Sequence, residues 1–388
     1  PAEPQALVPT RYTHFDARRQ EAVFSFTSGV EAGISMARRQ IYTKPGRPPE
    51  IVPAGIFDDL RQRDFSVNAM AISLHPNSRG LLLDPTNGAA DIENRELRAL
   101  NSRTFFEDPS RIYRLFRLTL RLGFKVNERT QAWLESALQS KAWEWMTPEQ
   151  QGAEIRAALH EENPARVLRA FSGHGLLDGL DGSLAKIHLD RFEKIRQVVR
   201  SASGYDSFAL NFDALSEKLS PAQKKRLAQK VIPDPNVRSL VTRLDGEARK
   251  LTRALTGPKA ARPSFVYELL RNEPQAVLFY MLLHYPQSKV QKPVKDFLVK
   301  FPQIRAKLPV AELQALGVEP GERSEKILDE LFIALLDGKL KSPQQTTKAL
   351  YELADVKPHE APNALTTESK QQSGEASKTK PRGRKKRS

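Results

Sequence analysis

The chain has 388 residues, with 61 lysines and arginines against 46 aspartates and glutamates, a formal net charge of +15, and no cysteine. That length suffices for two or three domains with a sizeable core, and 39% hydrophobic with 28% charged residues is ordinary for a globular chain. The cysteine count excludes a disulfide framework, a zinc ribbon and a thiol nucleophile; no apolar run reaches the roughly 18 residues of a membrane span; and the positive excess favours a polyanion such as RNA over an acidic protein or a membrane, the alternative being a merely soluble basic protein.

The first residue is Pro1 and no charged-then-apolar leader follows, so the pattern begins in mid-element and suggests an incomplete N-terminus. Residues 21–27 alternate around Val23, Phe24 and Phe26, Ser28 and Gly29 make a turn, and residues 30–37 continue as a second strand, which predicts a β-hairpin at the end of a sheet. The Pro-rich stretch 44–53 reads as a loop or extended crossing. Asp58 or Asp59 is expected to cap a helix running towards Leu74, followed by a short strand at 81–84 and a turn at 85–88. From Asp108 onward the pattern is nearly all helical, with turns at Gly173 and Gly175, at Pro233 and Pro235, and at Pro320 and Gly321. From Lys357 the chain turns to Pro, Ser, Thr, Gln and Lys, and residues 378–387 hold seven basic side chains and no acid. Composition predicts a disordered tail that either holds RNA by charge, through residues such as Lys385, Lys386 and Arg387, or only keeps the chain soluble.

The most informative segment is Glu107-Asp108-Pro109-Ser110-Arg111 and the ten residues after it. Asp108 is a good N-cap and Pro109 suits the first helical position. At about 100° per residue, Arg111, Arg114, Arg117 and Arg121 fall within one arc of about 120°, while Ile112, Leu115, Phe116 and Leu120 centre on the opposite side. Such a row of cations repels itself and becomes favourable when an anion, best a phosphate, sits on it; the alternative is an ordinary solvated helix face. An Asp three residues before an Arg adds a more specific capacity. A carboxylate accepts from an amino group and a guanidinium donates to a ring nitrogen, so the pair matches the Watson–Crick edges of cytosine and adenine and rejects guanine and uracil by leaving buried polar groups unpaired.

The Glu-Asp-Pro-Ser-Arg segment resembles the nucleotide-selecting motif of class II tRNA nucleotidyltransferases and bacterial poly(A) polymerases. Upstream, residues 59–71 (Asp-Leu-Arg-Gln-Arg-Asp-Phe-Ser-Val-Asn-Ala-Met-Ala) look like that family's Asp-Leu-x-Arg-Arg-Asp-Phe-Thr-x-Asn-Ala-Met-Ala, with Gln62 in place of the first Arg. Residues 83–92 resemble its flexible loop, with Asn87 where a Gly is usual; Asn tolerates positive φ, so the turn is expected to survive. Arg98 matches the Arg that follows. Residues 38–49 look like Arg-x-Glu-x-Tyr-x-x-Pro-Gly with Gln40 for Glu, and Gly33 stands where members often carry an acid, with Glu31 on the same strand face. Residues 163–177 resemble the neck, where Gln150 and Gln151 replace a Glu-Arg pair and Glu154 remains. Residues 312–340 look like the tail of longer members; amides at the Pro320-Gly321 helix start either receive an RNA phosphate or simply turn the chain into a helix.

The resemblance covers roughly residues 10–345. It implies an α+β fold: the C-terminal part of a polymerase-β-like nucleotidyltransferase head over 1–100, a helical neck that selects the nucleotide over 101–180, and a tRNA-binding helical body and tail over 181–355, with the basic tail 356–388 beyond. It implies that Asp108 and Arg111 read the base and that Arg63, Asp64, Asn68, Arg114 and Arg117 contact the nucleotide. The implied activity is template-independent addition of C and A, or A alone, to a tRNA 3′ end from CTP and ATP in the cytoplasm; a poly(A) polymerase and a degenerate RNA-binding homologue are the alternatives. The family holds Mg2+ on an Asp-x-Asp that follows a Gly-Gly-x-x-Arg-Asp turn, and neither is present. Asp58 and Asp59 read as helix-capping residues, Asp178 and Asp181 as turn residues, and the seven histidines lack metal spacing. No metal ligand is assigned, the metal-binding carboxylates are expected upstream of Pro1, and these 388 residues are expected to be inert as a polymerase.

Overall fold

The computed structural model describes residues 10–355 apart from 18–19, 28–29, 179, 181–183, 185–187, 201 and 203. The expected turn at Ser28 and Gly29, Asp181, and the basic tail with Lys385, Lys386 and Arg387 lie outside the described residues. The chain divides into two compact units, residues 1–245 and 246–388.

The first unit opens with an antiparallel three-stranded sheet, β1 (Thr10–Asp16), β2 (Glu21–Phe26) and β3 (Glu31–Ser35), in that order. Val23 faces Gly33 and Phe24 faces Ala32 across the expected hairpin. A second hairpin pairs β4 (Arg38–Ile41) with β5 (Glu50–Pro53), so the Pro-rich stretch is its long loop. Gly46 in that loop has φ +69°, and a Cβ there would lie 2.5 Å from the carbonyl oxygen of Trp145, a contact only glycine permits.

The helix expected from Asp58 towards Leu74 is not continuous. It is a short α1 (Ile56–Arg61), a 3-10 turn (Ser66–Asn68), and then β6 (Ala71–Ile72), which pairs with β7 (Leu82–Leu83). Gly55 precedes α1, and Asp58 and Asp59 lie inside its first turn rather than capping it. The interruption has a tertiary cause: Phe65 bridges to Ala99, the Ser66 amide donates to the Arg98 carbonyl at 3.0 Å, and the Phe65 ring is fully buried. Backbone groups that a helix would use internally are taken by a neighbouring segment.

Asn87 adopts φ +61°, as the sequence required, and starts α2 (Gly88–Glu93). The Asp84 carboxylate accepts from the amides of Gly88 (2.7 Å) and Ala89 (2.9 Å). β8 (Glu96–Leu97) runs parallel to β9 (Lys125–Val126). Between them lie α3 (Thr104–Glu107) and α4 (Ser110–Leu122), and α4 ends at Gly123 with φ +67°. The rest of the unit is helical: α5 (Glu128–Gln139), a 3-10 turn (Ala142–Trp145), α6 (Pro148–Leu159), α7 (Pro164–Gly173), α8 (Leu189–Val199), α9 (Phe208–Leu215) and α10 (Pro221–Val231). Ile112, Tyr113, Leu115, Ile155, Leu159, Phe171 and Phe212 fill the core, and the Tyr113 hydroxyl donates to the Leu176 carbonyl at 2.7 Å. Helix α11 (Pro235–Thr256) carries the division between the units.

Among its described residues the second unit is all-α: α12 (Pro263–Leu270), α13 (Gln275–His284), α14 (Ser288–Lys295) continuing through a π turn (Asp296–Lys300) into α15 (Phe301–Arg305), then α16 (Val310–Ala315), α17 (Glu322–Leu336) and α18 (Pro343–Ala354). Val277, Met281, Leu331 and Phe332 are at its centre. At the Pro320-Gly321 start of α17 the Gly321 amide donates to Ser324 Oγ at 3.0 Å, so one of the amides considered for a phosphate already has a protein acceptor.

Candidate functional site

A cavity of about 1010 Å³ in the first unit is lined by β4, its loop, α1 and the residues after it, and the start of α4. Arg63, Asp64, Asn68, Asp108, Arg111 and Arg114 all reach it; Arg117 does not, although it is ion-paired to the same network. Helix α4 places the selecting pair. Asp108 has extended backbone angles, and its Oδ1 accepts from the Ser110 amide (3.1 Å) and Oγ (2.6 Å), so it closes the helix start as the sequence predicts. Its Oδ2 is left 3.8 Å from Arg111 Nε.

Arg111 is not on an open helix face: it is 4% exposed. Nη1 donates to Thr104 Oγ1 (2.8 Å), Nη2 to the Gln62 carbonyl (3.1 Å), and the guanidinium lies 5.9 Å from the Tyr42 ring centre. Two of its five N–H groups are thereby used. The remaining donors and Asp108 Oδ2 form an acceptor beside a donor, the complement of an amino group beside a ring nitrogen.

The self-repulsion expected of the arginine row is answered inside the protein. Arg114 Nη1 donates to Asp64 Oδ2 at 2.6 Å, and its Nη2 lies 3.7 Å from Glu154 Oε1. Arg117 bridges Glu154 (3.0 Å) and Glu161 (2.9 Å), and Arg121 binds Glu161 at 2.6 Å. Guanidiniums and carboxylates alternate along this line, and Asp64, Glu154 and Glu161 are all nearly buried. The row is therefore a braced strut between α4, α6 and residue 64 rather than a free anion comb. Burial pushes the Glu154 carboxyl up despite Arg114 and Arg117.

Burial also pushes Asp64 up, but the Arg114 charge and hydrogen bonds from Arg114, Asn68 and the Phe65 amide outweigh it and hold its carboxyl below the usual range. Its oxygens are occupied, with Asn68 Nδ2 at 3.1 Å and the Phe65 amide at 2.8 Å, so its immediate task is to hold Arg114. A depressed carboxylate stabilises the fold above its unfolded pKa of about 3.9 and loses that contribution as pH falls through the folded value. Asp64→Asn is therefore expected to flatten the acid limb of a urea-unfolding series between pH 7 and pH 3. Because Arg114 is 37% exposed, the expected loss at neutral pH is about 1–2 kcal/mol after solvent screening. An acid limb as steep as wild type would refute the assignment.

Arg63 pairs with Asp59 at 3.0 Å while remaining half exposed at the cavity. The replacements at Gln40 and Gln62 are matched: Gln62 Oε1 accepts from the Gln40 amide at 2.7 Å, and the Tyr42 hydroxyl donates to Gln40 Oε1 at 2.8 Å. Burial pushes the Tyr42 hydroxyl up to about 12, so it stays a donor. Gln150 closes a capping box with Thr147, and Gln151 donates to the Trp143 carbonyl at 3.4 Å. The acid nearest position 33 is Glu21, not Glu31: a Cβ at Gly33 would lie 3.2 Å from Glu21 Oε1, whereas Glu31 accepts from Ser25. Asp91 is buried, with Ser66 Oγ donating to it and Arg98 Nε at 2.9 Å. Tyr42 and Arg47 fall within the 38–49 resemblance without a role of their own there, and nothing local in the sequence pairs Glu161 with the arginine face. Among the described residues no group of three acidic or histidine side chains is placed to hold a metal ion.

Residues 5–98 match the family model of the poly A polymerase head domain. The chain is 25% identical over 346 residues to an A-adding tRNA nucleotidyltransferase of Geobacter sulfurreducens, covering 86% of this chain and 39% of that protein. It is 38% identical over 164 residues to a CC-adding tRNA nucleotidyltransferase of Deinococcus radiodurans, covering 42% and 43%. It thus spans about two fifths of the length of these relatives. In fold it is similar to a tRNA-processing enzyme whose structure was solved with CTP, at TM-score 0.55 and 24% identity over 85% of each chain.

Proposed function

Because this chain belongs to the class II tRNA nucleotidyltransferase and poly(A) polymerase family, we propose that the protein adds C and A to the 3′ ends of tRNA from CTP and ATP. One observation carries the reading: Asp108 and Arg111 stand side by side in the wall of a cavity large enough for a nucleotide, with Asp108 Oδ2 only 3.8 Å from Arg111 Nε and neither atom committed to a hydrogen bond among the described residues. In this reading Asp108 accepts from the exocyclic amino group, and Arg111 donates to the adjacent ring nitrogen. Uracil and guanine present a carbonyl to the carboxylate and an N–H to the guanidinium, and both mismatches cost buried polar pairing. Asp64, Glu154 and Glu161 keep Arg114 and Arg117 in place. The names of the relatives, A-adding and CC-adding, support C and A as the nucleotides. A cytoplasmic location belongs to the same reading.

A divalent metal, when bound, activates the RNA 3′-hydroxyl and neutralises the triphosphate. Among the described residues no group of three acidic or histidine side chains is placed to hold one; its ligands are proposed to lie outside the described residues, and residues 1–388 alone are expected to bind nucleotide without extending RNA. The test incubates the whole protein, and separately this chain, with tRNA lacking its 3′-terminal nucleotides and each of four labelled nucleoside triphosphates. Incorporation of C and A by the whole protein is expected. Failure to incorporate either, or incorporation of U as readily as C, overturns the function. Extension by residues 1–388 alone overturns the placement of the metal ligands.

A further inference from the structure

Five arginines line the cavity, and four of them already have partners: Arg38 with Glu21 (3.9 Å), Arg63 with Asp59, Arg114 with Asp64, and Arg111 with Thr104 and Gln62. The fifth is Arg47, whose guanidinium makes no hydrogen bond or ion pair with any described residue.

The loop that carries it is built to hold still. Pro45 precedes and Pro48 and Pro49 follow, which fixes φ on both sides, and the Arg47 amide closes a turn on the Lys44 carbonyl at 3.3 Å. Gly46 is pressed against Trp145: a Cβ would lie 2.5 Å from its carbonyl oxygen and 2.8 Å from its Cβ. The Trp145 ring lies 6.0 Å from Phe106, two residues before Asp108. The loop is thereby fastened to the corner that presents the selecting pair. A guanidinium on a docked, proline-stiffened loop, facing a polar cavity and lacking a protein carboxylate, has all its donors available for an incoming anion.

We propose that Arg47 is a phosphate-binding residue of this cavity, taking a phosphate of the nucleotide held there or of the RNA end brought to it. The inference rests on the nucleotide reading above and adds a contact that the selecting pair cannot make. Arg63 and Arg114 must share or release a carboxylate to take a phosphate, whereas Arg47 gives up nothing but water.

The test measures equilibrium binding of ATP, inorganic tripolyphosphate, adenosine and a tRNA lacking its 3′ nucleotides to residues 1–388, as wild type, Arg47→Ala and Arg47→Lys. If the phosphate belongs to the nucleotide, Arg47→Ala weakens ATP and tripolyphosphate about 10- to 100-fold, leaves adenosine and the preference for CTP over UTP unchanged, and lysine restores part of the loss. If it belongs to the RNA, the loss appears in the tRNA arm alone and the slope of log affinity on log salt falls by about one. Because the side chain is exposed and unpartnered, the unfolding midpoint should not move. ATP, tripolyphosphate and tRNA all bound within twofold of wild type by Arg47→Ala would overturn this inference and leave the nucleotide reading intact. A wild-type chain that binds none of the ligands would overturn both.

Discussion

Asp108→Ala is expected to reduce the preference for CTP and ATP over UTP by about 10- to 100-fold, the worth of one hydrogen bond to a charged group. The substitution removes the acceptor whose Oδ2 faces the cavity. It also removes the closure of α4, where Oδ1 holds the Ser110 amide and hydroxyl, so about 1 kcal/mol of stability should go with it. Asp108→Asn separates the two roles. Its carboxamide oxygen can still accept from Ser110, so stability is retained, but its amide now donates where an amino group would sit, and selectivity should fall as far as in the alanine variant. Nucleotide affinities measured for all four triphosphates below the unfolding transition decide the matter. Selectivity unchanged in both variants would remove Asp108 from base reading.

Gly152→Ala is expected to lower the unfolding temperature by about 6–12 °C, from an overpacking cost of about 3 kcal/mol. Helix α6 crosses α10 so closely that a Cβ at Gly152 would lie 2.0 Å from the Lys230 carbonyl oxygen and 2.7 Å from its carbon. These are backbone atoms, and no side-chain rotation relieves the clash. Arg156 fixes the same crossing by donating to the Val231 carbonyl at 3.0 Å. The effect should not stay local, because Glu154, two residues further along α6, braces Arg117 and Arg114. Thermal unfolding followed by circular dichroism, with nucleotide affinity measured in parallel, should show both falling; a midpoint within 2 °C of wild type would mean the crossing is looser than described.

Much of the local structure was legible because it depends on neighbours within about four residues. The Val23, Phe24 and Phe26 alternation made a strand pair. Asp108 and Pro109 started a helix. Asn87 took the positive φ that its place in the turn requires. The helix towards Leu74 failed where locality failed: Phe65 and Ser66 bond to residues 98–99 instead of to their own turn.

By itself the sequence determined the change from a mixed α/β start to an almost all-helical remainder, the Asp108–Arg111 pair and the row of arginines that follows it, since helical geometry places residues three and four apart on one face. Only the tertiary structure decided what those arginines do. Their carboxylate partners lie 37 to 50 positions away in the chain, and no periodicity encodes a pairing across that distance. It also decided that the Pro-rich loop is docked on Trp145, leaving Arg47 as a cavity arginine without a partner among the described residues. Whether a charge is available to a ligand depends on what else has folded beside it.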